Sequence, residues 1–156
     1  MRSIITLLLG MAIVPALGAQ AAKLAKAATV ITPAQLHHTA DSLPRGASRT
    51  AQLGGGSGYT YALTQRDSSG GVERHADWTD MFVVQSGKAR ILTGGTIDGG
   101  KEASPGEWRG GTIAGGTTRA IAPGDVVIVP AGTPHQMILA PGTRIAYLAF
   151  KIAREK

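Results

Sequence analysis

Cysteine is absent from this chain of 156 residues. The lack of thiols excludes a disulfide framework, thiolate metal ligands and a cysteine nucleophile. The folded state must therefore be stabilised by a packed core. A chain of this length can bury one such core, but it is too short for two domains.

Signatures of nucleic-acid binding and of several enzyme classes are also missing. The formal net charge is +6, but the basic residues are scattered singly and form no patch suited to nucleic acid. The chain contains no Ser-His-Asp order, no glycine-rich phosphate loop and no dinucleotide fingerprint. These absences predict that nucleic acid is not a partner.

The first residues have the pattern of a secretory signal peptide. Met1-Arg2 supplies a positive start, the apolar run from Ile4 to Val14 is too short to span a bilayer, and Ala19-Gln20-Ala21 matches an Ala-x-Ala cleavage site. We expect cleavage after Ala21, a secreted or periplasmic protein, and no membrane association afterwards. An uncleaved membrane anchor is the alternative. The predicted segments are a signal peptide (1–21), an N-terminal arm with a short helix (22–50) and the main domain (51–156).

The rest of the chain predicts one short helix followed by many short strands. Thr32-Pro33-Ala34-Gln35 is a capping-box pattern, which predicts a helix through about Asp41 with His37 and His38 on its surface. Short apolar or alternating runs separated by Gly and Pro turns then predict an all-β sandwich or barrel. The predicted strands are 59–66, 71–76, 80–86, 88–94, 112–122, 126–129, 135–139 and 144–152.

One segment, from Gly124 to His135, combines a strand, a turn and a histidine. Its strand is the β-branched run Val126–Val129, which is typical of a strand buried on both faces. Pro130 ends the strand because it has no N–H to donate, and Gly132 supplies the freedom that the turn requires. His135 then begins the next strand, where a rigid scaffold suits a metal ligand.

This segment resembles the second motif of the cupin superfamily, and a modified first motif lies upstream. The family pattern of two histidines, a glutamate and a glycine becomes Glu73, His75, Asp80 and Gly87 here. The resemblance covers about residues 59–152. It implies an all-β, cupin-type double-stranded β-helix, a small jelly roll, with a short N-terminal helix. In a competing register, His75 and Asp77 form the ligand pair.

The resemblance implies a metal site made of His75, Asp80, His135 and Glu73. Alternation along strands places Glu73 and His75 on one face, and a buried carboxylate is less costly beside a cation. Two histidines and a carboxylate suit a divalent transition metal such as Fe, Mn, Cu, Ni or Zn. Glu73 is a fourth ligand, a catalytic general base or a surface residue with neither role. A cupin that has lost its metal is the alternative.

Three residues are candidates for substrate binding. Arg66 suits a carboxylate, while Trp78 and Tyr61 could stack on a ring or sugar at the barrel mouth. Gly94–Gly116, which contains nine glycines, is a long insertion between the two motifs. Such a loop could close over the site, contact a second subunit or simply lie on the surface.

The leading functional hypothesis is a secreted metal-dependent oxidoreductase, of dioxygenase or oxidase type, acting on a small-molecule or carbohydrate-derived substrate. The alternatives are a non-redox metal-dependent isomerase or lyase, a non-enzymatic module that binds sugar or another small ligand, and copper-dependent oxidative cleavage of polysaccharide. By analogy with cupins, a homodimer is expected. Because cupins share one scaffold across many reactions, the fold does not choose among these functions.

Overall fold

The computed structural model describes residues 28–155. The predicted signal peptide and most of the alanine-rich arm that follows it lie outside the described residues. Helix α1 spans Pro33–Ser42 and contains the predicted capping box, in which Gln35 N–H donates to Thr32 Oγ1 and Thr32 N–H donates to Gln35 Oε1. Its His37 and His38 are exposed, as predicted. Within residues 28–155, no helix combines the length and apolarity needed to cross a membrane.

Antiparallel strands make up most of the described chain, which confirms the all-β prediction. The strands are β1 (Arg49–Gly56), β2 (Tyr59–Arg66), β3 (Glu73–His75), β4 (Trp78–Gly87), β5 (Ala89–Thr93), β6 (Thr96–Asp98), β7 (Lys101–Ser104), β8 (Glu107–Arg109), β9 (Thr112–Ala114), β10 (Thr117–Ile121), β11 (Val126–Val129), β12 (His135–Ile138) and β13 (Ile145–Ala153). A five-stranded sheet has the order β1-β2-β13-β4-β11, and a six-stranded sheet has the order β10-β5-β12-β3-β8-β7. Strands β6 and β9 form a separate pair.

The core lies between the two larger sheets. The five-stranded sheet contributes Phe82, Val84, Val129, Ile145 and Tyr147, and the six-stranded sheet with the residue after β12 contributes Ala89, Ile91, Ile121, Met137 and Leu139. The alternation predicted for strands β4 and β12 is correct, because Asp80, Phe82 and Val84 of β4 and His135 and Met137 of β12 are buried. The prediction that β11 is buried on both faces was wrong: β11 lies at the edge of the five-stranded sheet, and its Val126 and Ile128 are exposed. This packed core stabilises the folded chain in the absence of disulfide bonds.

Two glycine-rich segments form strands although their composition is typical of loops. In the segment Gly54–Gly58, strand β1 continues to Gly56 at the edge of its sheet. The ring of Tyr61 covers Gly54 so closely that a Cβ there would lie 2.4 Å from the tyrosine oxygen. Gly94–Gly116 was expected to be a loop, yet it contains strands β6 to β9.

Candidate metal centre

Three strands bring the predicted metal-binding residues together. Glu73 and His75 point the same way from β3, and His135 begins β12, which pairs with β3 at the register His135–Glu73. Asp80 comes from β4 in the opposite sheet. The turn after β11 ties these elements to one another, because Gly132, at φ +79°, donates its N–H to the carbonyl of His75 at 2.6 Å.

The side chains of all four residues converge on a small volume. His75 Nε2 lies 3.2 Å from Asp80 Oδ2 and 3.4 Å from Glu73 Oε2, and His135 Nε2 lies 3.2 Å from the same Asp80 oxygen. One ligand atom from each of Glu73, His75 and His135 lies within 4.8 Å of the other two. His75, Asp80 and His135 are each at most 4% exposed. The competing register fails, because Glu73 rather than Asp77 joins His75 and His135 in the cluster.

Both imidazole rings are oriented from behind by hydrogen-bond acceptors. The Nδ1 atom of His75 lies 2.5 Å from Glu107 Oε2, and Nδ1 of His135 lies 3.2 Å from the carbonyl oxygen of Thr133. A carbonyl or an ionised carboxylate can only accept, so each Nδ1 carries the proton. Each Nε2 therefore faces the carboxylates. In the neutral ring it presents a lone pair to them, and in the imidazolium it presents a second N–H.

The ionisation of the cluster follows from its burial and its neighbours. Burial opposes the charged form of Asp80, but the close approach of the His135 and His75 rings and the charge of Lys151 hold its pKa far below the ordinary range. Burial also opposes ionisation of Glu73, yet its contact with His75 and the charge of Arg109 lower its pKa to about 2. Burial would lower the pKa of His75, but Asp80 and Glu73 raise it to about 9.

These residues fit a divalent metal. Despite its neighbouring carboxylates, His75 Nε2 is buried without a correctly aligned hydrogen-bond partner among the described residues. Two imidazole nitrogens and two carboxylates facing one volume form a donor set that a divalent cation can bind, and such a cation offsets the cost of burying the carboxylates. Two histidines and one carboxylate are a donor set that several transition metals accept, so the chemistry of the donors leaves the metal's identity open.

The insertion between the motifs supplies two residues that the sequence did not reveal. Strand β8 pairs with β3, which places Glu107 and Arg109 beside the ligands. Arg109 Nη1 donates to Glu73 Oε2, and its Nη2 donates to Glu107 Oε2 at 3.1 Å. Their only signal in the sequence is a strand-length polar run between glycine pairs, and nothing in that run identifies β3 as its partner.

A cavity of about 250 Å³ opens beside the cluster. Glu73, Asp80 and His135 lie in its wall together with two basic residues, Arg66 and Lys151. Lys151 Nζ donates to Asp80 Oδ1 at 3.0 Å. Lys151 is another residue that sequence reasoning missed, although a single charge in the apolar run of β13 is a usable signal.

Arg66 is the one predicted substrate-binding residue that reaches this cavity. Thr60, Ala62, Thr64 and Arg66 line it from alternate positions of β2, so Tyr61 lies on the opposite face, where it stacks on Tyr59 and Phe150. Trp78, at the start of β4, also lies outside the cavity lining. The expectation that Tyr61 and Trp78 line the mouth is therefore corrected.

Comparison with known proteins finds similarity in structure only. No family model matches the chain, and no curated protein matches it in sequence. A protein from Bacillus halodurans superposes with a TM-score of 0.57 at 12% identity, covering 85% of this chain and 86% of its own. The cupin domain of Cnp3 from Schizosaccharomyces pombe superposes with a TM-score of 0.54 at 12% identity, covering 73% and 71%.

An enzyme is also among the structural neighbours. A recombinant oxalate oxidase, solved in complex with glycolate, superposes with a TM-score of 0.50 at 14% identity. The alignment covers 70% of this chain and 52% of the oxidase, so the chain spans about half the oxidase's length. Likeness at such low identity extends to the fold and not to the chemistry.

Proposed function

The chain has the cupin fold, and we propose that it is a metal-dependent enzyme, an oxidoreductase of dioxygenase or oxidase type acting on a small substrate. The observation that carries this proposal is the meeting of His75, His135, Glu73 and Asp80 at the wall of a cavity. A redox-active metal held there would supply electron transfer with O₂ or a substrate.

The protein's own residues have separable tasks in this proposal. His75 and His135 hold the metal through Nε2, because their Nδ1 atoms are occupied by Glu107 and Thr133. Asp80 and Glu73 offset its charge. A cavity of about 250 Å³ is smaller than the roughly 300–1,000 Å³ typical of pockets for drug-sized ligands, so it favours a small substrate.

Elemental analysis of protein purified without chelator tests the proposal. We expect close to one equivalent of a redox-active metal in the wild type and a loss of it in His75→Ala and His135→Ala. His37→Ala and His38→Ala, which remove exposed histidines of α1, are the matched controls and should retain the metal. Loaded protein should then consume O₂ with a suitable substrate. Absence of bound metal after loading with Fe, Mn, Cu, Ni and Zn in turn would refute the proposal.

Lewis-acid chemistry is the second candidate. One carboxylate and two histidines, the set formed by Glu73, His75 and His135, are also the protein ligands of some catalytic zinc sites. Zinc as the retained metal, with no O₂ uptake, would favour an isomerase or lyase over an oxidoreductase.

We also propose that the enzyme acts outside the cytoplasm. The support is the signal-peptide pattern of residues 1–21, with its cleavage site after Ala21. Protein recovered from the periplasm or the medium should begin at Ala22. Recovery of an intact N-terminus from the cytoplasm alone would contradict this.

A further inference from the structure

Arg66 is held rigidly at the wall of the cavity. Its Nε donates to the hydroxyl of Tyr147 at 2.9 Å, and Tyr147 is only 4% exposed. The guanidinium also lies against the backbone at Gly70, where a Cβ would come within 3.0 Å of Nη1. Gly70 is itself fixed, because its N–H donates to the Met137 carbonyl and its own carbonyl accepts from Gln136. The Arg66 side chain is 15% exposed, so it is largely enclosed without being sealed off.

The terminal nitrogens of Arg66 have no hydrogen bond to any described residue. The nearest carboxylate oxygen, Glu73 Oε1, lies 3.7 Å from Nη2, beyond normal hydrogen-bond distance. Tyr147 also lines the cavity, and because its oxygen accepts from Arg66, its own O–H remains available to a ligand. A guanidinium fixed through Nε, whose Nη2 makes only a long ion pair with Glu73, keeps Nη1 and Nη2 N–H groups that match the two oxygens of a carboxylate.

The charge around the cluster also favours an anion. The three carboxylates of Glu73, Asp80 and Glu107 are balanced by the three basic side chains of Arg66, Arg109 and Lys151. A divalent metal bound by neutral histidines would leave this region with two surplus positive charges. A carboxylate entering the cavity reduces that surplus, whereas a neutral ligand does not.

Hydroxyl groups form one part of the remaining wall. Thr60 and Thr64 of β2, with Ser48 and Thr50 near the start of β1, line the cavity on this side, while Ala62, Phe82, Ile91, Met137 and Ala149 make another part apolar. Thr64 and Thr50 bond to each other at 3.1 Å, so each retains further capacity to bond. The hydroxyl side of the wall matches hydroxyl groups on a ligand, and the apolar part matches a short carbon skeleton.

The geometry points to a small hydroxycarboxylate as the substrate class, with its carboxylate paired to Nη1 and Nη2 of Arg66 and its hydroxyls facing the threonine wall. This inference rests on the proposed function, because the charge surplus requires the bound metal. It adds the substrate class and makes Arg66 the residue that selects it.

Calorimetric titration of the zinc-loaded full chain tests the inference without turnover. The probes are D-glycerate and its neutral counterpart glycerol. We expect glycerate to bind and glycerol to bind at least 10-fold more weakly. Arg66→Met should lower glycerate affinity about 10- to 100-fold, as loss of charge-assisted hydrogen bonds predicts, and Arg66→Lys should restore only part of it. Arg90→Met, which removes an exposed arginine, should bind glycerate like the wild type.

Zinc content and thermal unfolding of each variant separate the possible failures. If the wild type binds no metal, the proposed function fails first. If Arg66→Met retains zinc and a wild-type transition and still binds glycerate with unchanged affinity, this inference alone is refuted. Full rescue by Arg66→Lys would refute the two-point pairing. If Arg66→Met does not fold, Tyr147→Phe, which frees Nε and removes the O–H, should weaken glycerate binding, and unchanged binding would count against the inference.

Discussion

Glu107 sits behind His75 on the side away from the cavity. Its oxygen lies 2.5 Å from His75 Nδ1, so it fixes both the tautomer and the plane of the ring. Such a carboxylate increases the basicity of a ligating histidine. The sequence could not assign this role, because 32 residues separate the two side chains and only the β3–β8 register joins them.

Glu107→Gln should lower zinc affinity about 10- to 100-fold. An amide can still accept a hydrogen bond, but it carries no charge to stabilise the ligand pair. Competition titration with a chelator measures the effect. Glu155→Gln, at an exposed position near the end of the described chain, is the matched control. Equal affinities in the two variants would show that Glu107 does not support the site.

Strands β7 and β8 support the candidate metal centre from the edge of the six-stranded sheet. They extend the six-stranded sheet past β3 and carry Glu107 and Arg109 to the ligands. The glycines around them serve tight turns: Gly100 and Gly111 have φ of +78° and +80°, and a Cβ at either would lie 2.5 Å from a backbone oxygen. Glycine content alone indicated a loop, whereas here the glycines let the chain turn from the β6–β9 pair into the β7–β8 hairpin and back.

Removal of β7 and β8 should abolish tight metal binding while preserving the core. Asp98 pairs with Thr112 in the β6–β9 ladder, so replacing residues 99–111 by Asn-Gly leaves a two-residue hairpin turn between them. The core residues lie on other strands. We expect a native-like circular dichroism spectrum and a loss of zinc affinity of at least 100-fold.

A full-length Glu107→Gln, Arg109→Met double variant is the control for this deletion. It keeps the strands and removes only their charges, so it should lose affinity to a similar extent. If the deletion variant bound zinc with wild-type affinity, strands β7 and β8 would have no part in the metal site.

Across the whole molecule, the buried charges couple folding to pH. A histidine whose pKa rises to about 9 on folding stabilises the folded state fully below its unfolded value of about 6.5, and that contribution is lost as the pH rises through 9. Glu73 and Asp80, whose pKa values are lowered, contribute above about pH 4, and this stability is lost as the pH falls. Metal binding requires neutral His75. Above pH 6.5, metal affinity should therefore rise with pH, whereas the stability contributed by protonated His75 falls.

The free energy of unfolding of metal-free protein should therefore fall between pH 6.5 and 9, by about 3 kcal/mol at most from His75. Over the same interval the stabilisation by zinc should grow, because a smaller fraction of His75 is protonated and has to lose its proton before zinc binds. Urea unfolding with chelator and with excess zinc measures both curves. His37→Ala should reproduce the wild-type curves. If the free energies of unfolding of the metal-free and the zinc-bound protein changed in parallel with pH, the coupling of His75 protonation to zinc binding would be contradicted.

The sequence by itself determined the all-β architecture and the capped helix. Each depends on a local pattern: Gly/Pro turns, alternation along strands and a capping box. His75, His135, Asp80 and Glu73 were predicted as one site only through the resemblance to the two cupin motifs, because alternation along a strand sets no more than which neighbours, such as Glu73 and His75, share a face.

Only the tertiary structure decided what surrounds those four residues. Tyr61 and Arg66 belong to one strand, and the face that each occupies follows from which side of the sheet the core covers. Glu107 and Lys151 reach the ligands through strand pairings far apart in sequence. Such pairings depend on how the two sheets pack against each other, so no local pattern in the sequence encodes them. The residues that line the cavity therefore become visible only in the folded chain.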